Sequence, residues 1–106
     1  MSNGHATQDR FQDARIIIDM VRVHFQKLNP QLGYLFFRVD MIRKKQNADR
    51  WTVICSFLEG FGSPNRIYYQ LEVLTNNGNF ENQKTITEEQ AQREINEVQP
   101  TGNTPQ

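Results

Sequence analysis

Apolar positions recur along this chain at two different periods. Between residues 8 and 28 the period is helical: Phe11, Ala14, Ile18, Val21, Phe25 and Leu28 fall on one stripe. Thr7 is placed to cap the start, with Asp9 complementing the dipole in the first turn. Asn29-Pro30 ends the helix, because proline disfavours helical geometry in the residue before it. Ile16, Ile17, Met20 and Val23 widen the apolar surface beyond one stripe. The helix is therefore expected to make a second contact, with a further element or with another chain.

Beyond the proline the period is two. In residues 33–45, Leu35, Phe37, Val39 and Met41 share one face, and Tyr34, Phe36, Arg38, Asp40 and Ile42 the other. In residues 50–59 the sets are Trp51, Val53, Cys55 and Phe57 against Thr52, Ile54, Ser56 and Leu58. In residues 66–75, Ile67, Tyr69, Leu71 and Val73 oppose Arg66, Tyr68, Gln70, Glu72 and Leu74. The odd-numbered set is the more apolar throughout and should face the helix. Short turn-like connections predict an antiparallel meander. Partners across a hairpin share a face, so Met41 should meet Val53. A four-residue loop between Lys45 and Arg50 would pair odd with even, which predicts an odd-length loop or a bulge there.

Asn77-Gly78 predicts a two-residue type I′ hairpin, with positive φ at both positions. It would launch a fourth strand over 79–86, polar except for Phe80 and Ile86, as suits an edge. Thr87 and Gln90 form a capping box ahead of a short helix over 88–98, with Ala91, Ile95 and Val98 inward. The predicted fold is α+β: a long N-terminal helix packed on a three- to four-stranded antiparallel meander, with a short C-terminal helix, in the order α-β-β-β-(β)-α. Residues 1–6 and 99–106 lack apolar anchors and are expected to be disordered, leaving 7–98 as one domain.

Composition narrows the function classes. At 106 residues and 37% hydrophobic, the chain has enough apolar surface for one domain. Twelve basic and twelve acidic side chains cancel, so no field of one sign grips duplex DNA or an anionic membrane. No apolar run approaches a membrane span, and the first ten residues lack the order of a signal peptide. One cysteine excludes an internal disulfide and any multi-thiolate metal site, and it fits a reducing, cytoplasmic location.

No motif names an activity, and no catalytic, metal or cofactor-binding residue stands out. His24 is isolated on the helix and reads as a part-buried, hydrogen-bonded side chain. Cys55 lies on the core face of the middle strand and reads as structural. Phe61, between two glycines, is expected to fold back on the sheet. Basic residues crowd one region: Arg38, Arg43, Lys44, Lys45, Arg50 and Arg66 are candidate contacts for an anion. The stretch from Glu72 to Glu97 is acidic, so head-to-tail complementarity between chains is a further reading.

The even sheet face carries the most apolar surface without an assigned cover: Tyr34, Phe36, Ile42, Ile54, Leu58, Tyr68 and Leu74. The second helix could fold across it, or two copies could pair there. Alternatively, Tyr34, Phe36 and Tyr68 could stack on single-stranded nucleic acid, with Arg38 and Arg66 on phosphates. A small apolar ligand or a peptide between helix and sheet is another alternative. The order helix, meander, helix is similar to that of the double-stranded RNA-binding domain. That family grips phosphates with a lysine-rich start to its last helix, whereas residues 87–93 here (TEEQAQR) are net acidic. The helix and meander also resemble small cystatin-like and secretion-chaperone-like domains. The expectation is a non-catalytic protein-interaction or regulatory module, forming a homodimer or binding another protein, with Tyr34, Phe36, Ile54, Leu58 and Tyr68 as its interface.

Overall fold

The computed structural model describes residues 10–28, 36–60, 62 and 64–98. Helix α1 spans Ala14–Leu28. Strands β1 (Arg38–Arg43), β2 (Arg50–Leu58), β3 (Arg66–Leu74) and β4 (Phe80–Ile86) follow, and helix α2 spans Glu88–Val98. The strands form one antiparallel sheet in the order β1-β2-β3-β4, so the predicted α+β meander with a helix at each end is the fold. The expected disordered segments, 1–6 and 99–106, lie outside the described residues, as do Thr7, Asp9, Tyr34 and Phe61.

The first helix begins later than its periodicity suggested. Asp13 caps it: its carboxylate accepts a 2.9 Å bond from the Arg15 amide, and its carbonyl accepts from Ile16 and Ile17. The buried stripe is Ile17, Val21 and Phe25, rotated from the expected one, and Leu28 is 53% exposed. Phe11 lies before the helix yet still packs on the core. Against α1 lie Trp51, Val53, Cys55, Phe57, Leu71 and Val73. Rings fill the far end of this layer, with Phe25 packed at 5.1 to 6.0 Å from Phe37, Phe57 and Tyr69.

Two bulges break the simple alternation. In β1, Val39 pairs with Cys55 but Met41 pairs with Ile54 and Ile42 with Val53, so Asp40 is the extra residue. The register problem in the first hairpin is thus resolved by a bulge within the strand. The expected Met41–Val53 pair does not form: Met41 crosses to the even face, and Ile42 takes its place towards α1. In β4, Gln70 pairs with Lys84 and Glu72 with Glu81, with Asn82 at φ 56° inside the bulge. Phe80 therefore faces α1 while Ile86 faces the other way.

The β3–β4 connection is not the two-residue type I′ turn. Leu74 and Asn79 pair across it, and the Gly78 amide bonds the Leu74 carbonyl, so the loop spans Thr75 to Gly78. Only Gly78, at φ 76°, has positive φ here. A Cβ at that position would also meet the Phe11 ring at 2.7 Å, so both backbone and packing require glycine.

Helix α2 lies on the face opposite α1. Its Ala91 is fully buried against Met41, Ile54, Tyr68 and Ile86, with Ile95 at the margin. The capping box forms in both directions: the Gln90 amide bonds Thr87 Oγ1 at 3.1 Å, and the Thr87 amide bonds Gln90 Oε1 at 2.9 Å. The sheet is thus sandwiched between two helices, each covering the apolar part of one face. Among the described residues, no helix is long and apolar enough to cross a membrane.

Candidate functional site

Covering one face with α2 redistributes the residues expected at an interface. Ile54 and Tyr68 are 0% and 4% exposed, core contacts beneath α2 rather than free surface. Leu58 is half-buried, and Ile42 has left this face altogether. Phe36 is the exception, at 73% exposed. It also has a φ of 52°, a left-handed conformation that a bulky side chain rarely adopts. Such a residue costs on the order of 1–3 kcal/mol and persists only where its surroundings enforce it.

The enforcing contacts begin at the β1 bulge. Placing an extra residue at Asp40 turns its carboxylate onto β2, where Ser56 Oγ donates to Asp40 Oδ2 at 2.6 Å. Arg38 Nε bonds the other carboxylate oxygen. The Asp40 carboxylate, with the Tyr68 hydroxyl adding in the same sense, holds the Arg38 proton more tightly than usual despite some desolvation. Ser56 is fully buried, so its hydroxyl needs partners on both sides. Having donated to Asp40, it accepts from Arg66 Nη1 at 3.0 Å. The same Nη1 donates to the Phe36 carbonyl, also at 3.0 Å. Arg38 and Arg66, distant in sequence, are thereby joined through one carboxylate and one hydroxyl, with Phe36 held at the end of the chain of bonds.

The other basic residues are not gathered into a patch. Arg43 pairs with Glu94 of α2 at 3.1 Å. Arg50 Nη1 lies 2.8 Å from Glu72 and 3.5 Å from Glu81, and its Nε lies 3.0 Å from Asp49. Lys44 Nζ sits 6.0 Å from the Trp51 ring centroid, and Lys45 is exposed. The basic hairpin and the acidic C-terminal region therefore meet within one chain. A shallow polar depression of about 390 Å³ lies across β3 and β4, lined by Gln70, Glu72, Asn82, Gln83 and Lys84. Glu72 is occupied there: the Asn82 amide, and behind it Arg50, hold its carboxyl below the usual range against the opposing effect of partial burial.

Other residues with reactive chemistry are engaged structurally. His24 Nε2 lies 2.7 Å from Gln83 Oε1, and its ring meets Phe25 and Phe80 edge-on. Cys55 is buried on the core face, where burial first and the Asp40 charge second push its thiol up to about 12. Among the described residues, no three His, Cys, Asp or Glu side chains converge on a metal position. The site thus comprises an exposed aromatic, two arginines and their buried anchor. It can make apolar and hydrogen-bonded contacts, and the Ser56 hydroxyl within it is fully buried between Asp40 and Arg66. Comparison of the chain with known protein families, with curated proteins and with solved structures finds no match.

Proposed function

We propose that the chain is a small, non-catalytic protein-interaction module that associates with a second copy of itself through the end bearing Phe36. The observation that carries this reading is Phe36 itself, a large ring presented to water from a constrained backbone. Val23 and Leu28, the other exposed large hydrophobics among the described residues, belong to the C-terminal half of α1. An exposed ring of this kind can pair with its own copy across a two-fold axis without a separate pocket. The zero net charge presents no overall repulsion between copies. Aromatic and arginine side chains together are the usual composition of interface hot spots.

The stacking platform for single-stranded nucleic acid is less well supported. Tyr68 is buried, Arg38 is paired with Asp40, and Arg66 is spent on internal acceptors. The layer between α1 and the sheet, considered for an apolar ligand, is occupied by aromatic side chains.

Light scattering behind size exclusion, across about a hundredfold range of concentration, tests the proposal because dimer populations follow mass action. The expected result is a concentration-dependent dimer that Phe36→Ser converts to monomer. A monomer at every concentration, or a dimer indifferent to Phe36→Ser, would overturn it.

A further inference from the structure

We infer that Arg66 is a positioning residue, which holds Phe36 in the conformation that presents its ring. The inference deepens the interaction reading above and rests on it for its functional consequence. The strained residue and its restraint are directly linked: the carbonyl of Phe36, at φ 52°, accepts from Arg66 Nη1. Arg66 is in turn fixed by Ser56 Oγ, and Ser56 by the Asp40 carboxylate at 6% side-chain exposure. The anchor is buried while the ring is exposed, so the network stiffens a contact residue from behind. A planar guanidinium suits this role, because one nitrogen reaches two acceptors while the delocalised charge remains only weakly hydrated. Holding a contact residue in its bound conformation lowers the entropy cost of association, and so raises affinity without adding a contact. The β1 bulge is the structural origin of the network, since it delivers Asp40 to Ser56.

The experiment uses the full chain and two readouts. At positive φ the amide and α protons of one residue lie unusually close, giving a strong intraresidue cross-peak by NMR. That peak is expected at Phe36 in the wild type, to be lost in Arg66→Met and weakened in Ser56→Ala. The dimer dissociation constant should rise about tenfold in Arg66→Met, with the Phe36 side chain intact. Should Arg66→Met fail to fold, Ser56→Ala carries both readouts. Persistence of the strong cross-peak in the folded variants would overturn the positioning role. Loss of the peak with unchanged dimerisation would overturn its link to association. Indifference of the dimer to Phe36→Ser, by contrast, counts against the interaction reading itself.

Discussion

Trp51 Nε1 donates a 2.8 Å hydrogen bond to the Phe11 carbonyl, tying the start of β2 to the turn that precedes α1. The indole is nearly buried and its N–H has found a partner, as buried tryptophan requires. The same residue, Phe11, packs its ring over Gly78. One end of the molecule is therefore closed by three contributions from distant parts of the chain. Trp51→Phe keeps an apolar ring but leaves the Phe11 carbonyl unpaired and a small gap beside it. It should lower stability by about 1–2 kcal/mol. Urea denaturation followed by circular dichroism checks this, and an unchanged midpoint would show that the bond adds no net stability.

The N-cap of α2 controls how well the even face is covered. Thr87 and Gln90 each satisfy an amide that would otherwise be orphaned. Thr87→Ala should cost about 1 kcal/mol. The loss should fall chiefly on α2, so its amides should exchange with deuterium roughly fivefold faster, the factor that such an energy implies. Uniform acceleration across the whole sheet would instead place α2 within the global unfolding unit.

These two closures differ in how far the sequence announced them. The capping box is a local pattern, legible because the cap and its partner lie within one turn. The β2–β3 faces were legible too, since both strands keep strict alternation and pair in regular register. The bulges at Asp40 and Asn82 were harder. A bulge is set by what a strand meets across the ladder; the slip at Asp40 moved Met41 and Ile42 to faces that parity did not assign, and the one at Asn82 put Phe80 and Ile86 on opposite faces. The site inherited that difficulty. Phe36, Arg38 and Arg66 were each singled out, as an interface aromatic and two anion contacts. What joins them is Ser56 and Asp40, whose roles depend on the bulge. Positive φ at a phenylalanine has no compositional signal at all.

Acid should weaken the fold, and Glu72 should account for part of the effect. Its folded pKa lies below the ordinary 4.5, chiefly through the Asn82 amide. The unfolded chain therefore binds this proton more readily than the folded one. The resulting stabilisation is complete above the ordinary value and is lost as pH falls through the folded value. Asp13 and Asp49, each held low first by a side-chain bond to a neighbouring arginine, shift in the same direction from 3.8. The thermal midpoint should hold steady down to about pH 5 and decline below it. Glu72→Gln should flatten part of that decline. A variant with the wild-type slope would show that Glu72 keeps the same proton affinity folded and unfolded.

Cys55 offers a probe of the core that needs no mutation. Burial, reinforced by the nearby Asp40 charge, raises its thiol to about 12, so almost none is thiolate at neutral pH. The side chain is also fully enclosed between α1 and the sheet. A thiol-specific reagent should therefore leave the native protein unmodified on the timescale in which it titrates the unfolded chain. Modification should begin only as urea opens the core, with the same midpoint as the loss of helical signal. Coincidence of the two transitions would mark α1 and the sheet as one cooperative unit. Rapid labelling without denaturant would mean that α1 lifts from the sheet locally, a motion that the buried pairing of Val21 and Phe25 with Cys55 and Phe57 opposes.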